Sequence, residues 1–352
     1  MKWIFGLVAT MLLFGCIIDG LWGGNQTDNE TLNPPPANES GNQNNGSVNI
    51  ILDDQQNQTI EQNTSDDGNG EENGQNTTPT TEMEYELDPE ANIGVYFINV
   101  STSTTHGDAI LVKKGDFDML IDAGPSESGG EVVDFLRSME VDDLELVIST
   151  NADPRHYGGL ELVGDNFLIE HFWWSGETFN DQEYDRIVSE LEAKVKITQV
   201  VEKGFTTNLN GINIEILNPH DTQRFGDINN DAIVTRLVDR EFSVLLTSGI
   251  QQGARDKIVN EQENKIKNKV IQAPYYGSGE GTRNIGLFLI RATPDIVIIS
   301  GSADDASYNG GSREPFMRTM EQYNIAWEAT YTSGTIRVTS DGIDYAVQAF
   351  GG

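Results

Sequence analysis

The segment Ser149-Thr150-Asn151-Ala152-Asp153-Pro154-Arg155-His156-Tyr157-Gly158-Gly159 constrains the fold more than any other part of the chain. Ahead of it, Leu144, Leu146, Val147 and Ile148 form the apolar run of a buried strand; after it, Gly158-Gly159 with Leu160 and Leu162 reads as a tight turn into a short helix. A strand that feeds a helix through a polar loop is a place where a rigid scaffold presents side chains. This loop presents a histidine, an arginine and an aspartate.

The rest of the chain limits how much scaffold there is. Residues 17–92 hold sixteen Asp or Glu and no Lys or Arg, are rich in Asn, Gln, Gly and Thr, and include Pro34-Pro35-Pro36. Such a composition cannot bury enough apolar surface to offset ordering, so 17–92 reads as a disordered acidic Asn/Thr-rich linker, with Val48-Asn49-Ile50-Ile51-Leu52 as its apolar exception. Residues 93–352 remain for one large domain. Forty acids against twenty-one bases leave that domain near -19 of the chain's formal -34. Phosphate backbones are held chiefly by Lys and Arg, and the sequence contains no basic cluster, so nucleic acid is not an expected partner. The acidity is read as a solubility feature suited to a salty medium.

The amino terminus carries an address. Met1-Lys2 and the apolar run Trp3 to Phe14 have the charged and hydrophobic regions of a secretory signal, and the run is short for a membrane span. It ends in Leu13-Phe14-Gly15-Cys16, which resembles a lipobox, and Cys16 is the chain's single cysteine. Residues 1–16 are therefore expected to be a lipoprotein-type signal peptide, with lipid attached at Cys16 and the protein held on the outer face of the cytoplasmic membrane. Two acyl chains anchor firmly where one barely does, at about 0.8 kcal/mol per buried methylene. The linker spans roughly 50 Å root-mean-square and carries the domain clear of that membrane. Acceptor-type triplets begin at Asn25, Asn29, Asn38, Asn45, Asn57, Asn63 and Asn76, where glycans on an exported stalk would shield it from proteases.

Within the domain, Val95–Val100, Ala109–Val112, Asp118–Ile121 and Leu144–Ile148 read as strands, with Val132, Val133, Phe135, Leu136 and Met139 at helical spacing between them. Strands follow at Ile212–Leu217, Ala232–Leu237, Phe242–Leu246, Lys269–Ala273 and Ile296–Ile299, with helices near 284–291 and 313–323. Gly334–Val338 and Tyr345–Ala349 close the chain as a hairpin across Asp341-Gly342. The predicted class is α/β (α+β), a two-sheet sandwich covered by helices.

Six blocks occur in an order that is similar to metallo-β-lactamase-fold proteins: Phe97-Ile98-Asn99-Val100, His106-Gly107-Asp108-Ala109-Ile110-Leu111, Leu120-Ile121-Asp122-Ala123-Gly124, His156-Tyr157-Gly158-Gly159, Asn230-Asp231-Ala232-Ile233-Val234 and Leu245-Leu246-Thr247. Among these proteins the chain most resembles the extracellular hydrolase-like domain of competence, or DNA-internalisation, proteins. The resemblance covers most of 93–352 and implies an αββα sandwich. It also implies a loop reading His-x-His-x-Asp-His that converges on one or two metal ions, commonly zinc. Zinc needs several such donors held about 2.0–2.2 Å from one point.

Here the donors depart. Asn151 stands at the first His, Asp153 at the second and Arg155 at the Asp; His156 alone matches. The family's Thr-Gly-Asp turn is Thr247-Ser248-Gly249, and its later His-His-Gly-Ser is Tyr275-Tyr276-Gly277-Ser278. A guanidinium has no lone pair to give and stays protonated, so Arg155 is expected to fill the metal position and pair with Asp153 or Asp122. The expected site is a cleft of Asp122, Asn151, Arg155, His156, Tyr275 and Tyr276 that takes an anionic or aromatic group. No cofactor is expected. The competing expectation is a divergent phosphodiesterase or nuclease linked to DNA uptake, with Asp153 and His156 as catalytic residues holding one weakly bound zinc or manganese. His106 is read as a loop residue, Asp108 and Asp122 as orienting groups, His171 as packed at a strand end and His220 as a surface residue. Of Trp173 and Trp174, one is expected in the core and one at the rim.

Overall fold

The computed structural model describes residues 85–102, 105–302 and 312–350. All of them lie in one compact unit, Ser47–Gly352. The signal segment, Cys16, the seven Asn triplets and Val48–Leu52 lie outside the described residues. Among the described residues no helix is long and apolar enough to cross a membrane.

The first half runs β1 (Ile93–Phe97), β2 (Ala109–Lys114), β3 (Phe117–Ala123), α1 (Gly129–Ser138), β4 (Asp143–Ile148), α2 (Pro154–Tyr157), α3 (Leu160–Asn166), β5 (Leu168–Trp174), α4 (Gln182–Lys194) and β6 (Ile197–Val200). The second runs β7 (Thr206–Leu209), β8 (Ile212–Asn218), β9 (Val234–Asp239), β10 (Phe242–Leu246), α5 (Gln252–Gln262), β11 (Val270–Gln272), α6 (Ile285–Ala292), β12 (Ile296–Ile299), α7 (Glu314–Gln322), β13 (Ala326–Ala329), α8 (Thr330–Ser333), β14 (Thr335–Ser340) and β15 (Tyr345–Phe350). They build an eight-stranded sheet, β15-β14-β1-β2-β3-β4-β5-β6, facing a seven-stranded sheet, β13-β12-β11-β10-β9-β8-β7.

Three apolar layers hold this arrangement. Phe97, Met119, Ile121, Leu146 and Ile148 meet Ile214, Ile216, Leu237, Val244 and Leu246 between the sheets. Outside the first sheet, Leu120 and Val147 pack with Val132 and Leu136 of α1, Leu160 of α3 and Leu191 of α4. Outside the second, Leu245, Ile271 and Val297 pack with Ile258, Phe288 and Phe316 of α5, α6 and α7. Central strands buried on both faces need apolar residues at successive positions, which is why β3 and β4 read as runs rather than alternations. The sandwich is thus two sheets with helices on both outer faces.

Topology brings the site together at one end. The register of β3, β4 and β5 is parallel, so the loops after Ala123 and Ile148 emerge side by side. In the other sheet β10 and β11 are parallel, and Thr247 and Ala273 leave at the same end. The strand expected at Ala232–Leu237 begins later, at Val234, because Ile233 N–H is drawn off to Thr150 O at 2.8 Å.

The opposite end, the floor, corrects the boundary expected at residue 93. Tyr85 stacks edge-on against Phe117 at 5.3 Å. Its Oη accepts Asn210 N–H at 3.1 Å, Asp88 N–H donates to Asn210 Oδ1 at 2.8 Å, and Glu86 N–H donates to Asp116 Oδ2 at 2.8 Å. Tyr85–Ala91 is therefore a strap of the domain and not free linker. β3 has seven residues, which puts about 20 Å between floor and site.

Candidate functional site

The loop after β4 is shaped by the residues that replace histidines in the resembled motif. Asn151 Oδ1 accepts Asp153 N–H at 3.0 Å, a side chain standing in for a turn. Asp153 then caps α2, its Oδ1 accepting Arg155 N–H at 2.9 Å, and Pro154 takes the first helical position where no donor is needed. Two glycines let neighbouring segments close on this loop. A Cβ on Gly107 would lie 2.0 Å from Arg155 O, and one on Gly159 2.2 Å from Ala123 O.

Arg155 folds back onto its own cap. Nε donates to Asp153 Oδ1 at 2.9 Å and Nη2 to Oδ2 at 2.5 Å, a two-pronged pair. Burial alone would push the Asp153 carboxyl up, but the hydrogen bonds and charge of Arg155 outweigh it and hold the group at about 2. The guanidinium carbon lies 5.0 Å from the Tyr276 ring centre and 5.6 Å from that of Tyr275. Nη1 is 3.3 Å from His106 Nε2, and since arginine only donates, that nitrogen is the unprotonated one. Burial, then the Arg155 charge, lowers His106 to about 4, so it stays neutral.

Beneath this pair lies a buried relay. His156 Nδ1–H donates to Asp122 Oδ2 at 2.7 Å, and Nε2 shares a 2.7 Å hydrogen bond with Tyr276 Oη, accepting when the ring is neutral and donating when it is charged. Burial pushes His156 down, yet Asp122, with Asp108 behind it, outweighs burial and raises its pKa. Burial raises Tyr276 well above the usual phenol range, which keeps it a phenol. Asp122 also accepts Thr150 N–H at 2.8 Å and Thr150 Oγ1–H at 2.6 Å, and Ser248 Oγ reaches Thr150 Oγ1 at 2.6 Å across the sheets. Asp108 Oδ2 stands 3.7 Å from His156 Nδ1, and burial raises that carboxyl too.

Backbone strain gathers here. Asp122, Ser248, Tyr275 and Tyr276 have φ of 58°, 50°, 48° and 58°, left-handed values that cost roughly 1–2 kcal/mol per residue without glycine. The surroundings over-determine them: Gln272 Oε1 accepts both Thr247 N–H and Ser248 N–H, at 3.0 and 2.9 Å, and Tyr275 N–H donates to Ser248 O at 3.0 Å.

The donors present do not fit a zinc ion. Both His156 nitrogens and both Asp153 oxygens are engaged by side chains, and a guanidinium lies alongside. The carboxylate position at Gly249 is closed as well, since a Cβ there would lie 2.8 Å from Asn229 Oδ1 and 3.0 Å from Asn151 Nδ2. Among the described residues no group of three or more His, Cys, Asp and Glu is placed to hold a metal.

The six residues expected to line a cleft do converge, but Asp122, Asn151, His156 and Tyr276 are buried. The surface they leave is Arg155, Asp153 and Tyr275, all partly exposed. The pairing expected of Arg155 falls on Asp153. His106, Thr150 and Ser248 belong to the cluster as well, outside the expected six; Gly107, which lets His106 approach, is the signal for the first of them. His171 is not at a strand end but inside β5, buried and with its pKa lowered by burial, away from this network. His220 is half-buried, between Lys203 and Glu261. Trp173 is the core tryptophan and Trp174 the half-buried one.

The sandwich with its loop site at the ends of β3, β4, β10 and β11 is a metallo-β-lactamase-like fold. No protein-family profile and no curated protein sequence matches the chain. Among solved structures it is similar to the metallo-β-lactamase-fold protein YhfI from Bacillus subtilis, at 10% identity over 69% of this chain and 98% of that one, TM-score 0.48. It is similar also to Igni18, a metallo hydrolase from Ignicoccus hospitalis, at 12% identity over 69% of this chain and 98% of that one, TM-score 0.45. A third is CmlA, a diiron β-hydroxylase from Streptomyces venezuelae, at 12% identity over 72% of this chain and 55% of that one, TM-score 0.45.

Proposed function

We propose that the chain is a lipid-tethered surface protein whose head is a binding or interaction module and not a metal-dependent hydrolase. The observation that carries this reading is the engagement of every motif donor by a protein group: Asp153 by Arg155, and His156 by Asp122 and Tyr276. Fold does not bring activity with it; activity belongs to a site. In this reading a fixed guanidinium supplies the positive charge that an ion would, and the phenol of Tyr276 caps the imidazole nitrogen that would bind it. An unidentified ligand or protein partner meets the rim of Arg155, Asp153 and Tyr275.

The tether rests on Leu13-Phe14-Gly15-Cys16 and the acidic linker. Resemblance to DNA-internalisation proteins suggests a role beside an uptake channel, but a head near -19 is poorly suited to hold DNA itself.

Full-length protein made with a radioactive lipid precursor, then assayed with added zinc or manganese against phosphodiester, ester and β-lactam substrates, tests both halves. The expected result is label that disappears in Cys16→Ser and no metal-dependent turnover. Unlabelled wild-type protein removes the anchor; turnover that needs the metal and is lost in His156→Ala removes the binding-module reading.

A further inference from the structure

The floor of the head holds a carboxyl group that the Arg155 network does not use. Glu145, on β4, is fully buried. Its Oε2 accepts Asp118 N–H at 2.6 Å, while Oε1 makes no hydrogen bond among the described residues. The β4–β5 register, Leu144 against Ile169 and Leu146 against His171, sets Glu145 opposite Glu170. Asp118 flanks it on β3, and Asp143 adds a negative charge from its own strand.

The cations nearby are committed elsewhere. Lys113 Nζ bonds both Asp118 oxygens, at 2.9 and 2.7 Å; Lys114 pairs with Asp239 at 2.9 Å; Lys196 pairs with Glu170. From the strap, the Tyr85 ring rests on Phe117, next to the Asp118 whose N–H Glu145 accepts, and a negative charge on Glu145 opposes ionisation of Tyr85. Burial pushes Glu145 up to about 8 and Asp118 up to about 6.

We propose that Glu145 is a proton-operated latch for the strap Tyr85–Ala91, which joins the head to the rest of the chain. As a neutral acid, Glu145 sits in the floor at little cost. Ionised, its Oε1 is an anion with no donor, beside Asp118 and opposite Glu170, and burying an unpaired charge is far more costly than letting water in. β3 and β4 are laddered on both sides and cannot move apart cheaply. The strap is held by a ring stack and a few hydrogen bonds, so it is the part that yields. Its release frees Tyr85–Ala91 to lengthen the connection and uncovers Phe117.

The sign follows from linkage. The strapped state binds a proton that the released state, with an ordinary carboxyl, gives up near pH 4. Strapping is therefore favoured fully in acid and weakens as pH rises from there to about 8, beyond which the loss is complete.

Hydrogen exchange on the full chain at pH 6.5 and pH 9.5, corrected for intrinsic exchange, reads the latch at the amides of Glu86, Asp88 and Ala91. Wild-type protection at these amides is expected to fall about tenfold or more at the higher pH while β3 and β4 stay protected, and Glu145→Gln is expected to keep the strap protected at both. Strap protection that is constant in the wild type, or that falls equally in Glu145→Gln, overturns the proposal. If Glu145→Gln does not fold, Glu145→Met serves as the non-titrating variant, and the wild-type comparison stands by itself.

Discussion

Replacement of His156 by alanine is expected to lower the head's unfolding free energy by about 3–5 kcal/mol, the range for breaking a buried charged pair. The imidazole joins three groups that cannot reach one another. Without it, Asp122 keeps only its Thr150 contacts, the Tyr276 phenol loses its partner 2.7 Å away, and the buried Asp108 loses its nearest cation. Each is a polar group stranded away from water. The same ring ties α2 to the strained Tyr275-Tyr276 turn, so the left-handed backbone there loses one of the contacts that enforce it. In thermal unfolding the loss corresponds to roughly 10 °C for a domain of this size. Tyr276→Phe removes one hydrogen bond and no charge, and belongs near 1–2 kcal/mol. A loss below about 1 kcal/mol in His156→Ala would mean that the relay is hydrated and not a packed lock.

Lys114→Met is expected to cost a similar amount, about 3–5 kcal/mol, at the other end of the molecule. Lys114 and Asp239 are 0% and 1% exposed and lie 2.9 Å apart. Methionine fills the space but leaves the Asp239 charge facing only Arg240 Nε at 3.5 Å. The double variant Lys114→Met/Asp239→Leu is expected to recover most of the loss, because a buried ion pair replaced by apolar groups of similar volume is often neutral. Denaturant unfolding of both single variants and the double one completes the cycle. A double variant as unstable as the sum of the singles would show that each side chain acts alone.

Much of the fold was legible because most central strands are buried on both faces and so read as apolar runs, as in Met119-Leu120-Ile121 and Leu146-Val147-Ile148. β5 was hidden by Glu170 and His171 in its middle; Glu170 is buried because Lys196 reaches it, a contact no local pattern announces. α4 is absent from the sequence expectations; Asp181 caps it, accepting Glu183 N–H and Tyr184 N–H, and Tyr184, Ile187, Val188 and Leu191 form its buried stripe. The strap resembled linker by composition. It is fixed by Asn210, far along the chain, and composition cannot show a contact of that range.

At the site, the departures from the resembled motif could be read one by one, since each stands at a fixed place in the loop. What took their place could not. Asn151 and Asp153 act as turn and cap, local roles visible in the side chains once the loop is seen, whereas the meeting of His156 with Tyr276 depends on two sheets closing over each other. His106 is a loop residue, as expected, but its ring centre lies 4.5 Å from that of Tyr276, the two rings nearly perpendicular, inside the cluster.

In the proposed reading, protein side chains, with Arg155 foremost, stand where the resembled site would hold an ion. Elemental analysis of the purified full-length protein, after growth and dialysis with zinc and manganese, addresses it most directly. Metal far below one ion per chain, unchanged in His156→Ala, is the expected result. Close to one tightly held ion per chain, lost when His156 is replaced by alanine, would contradict it.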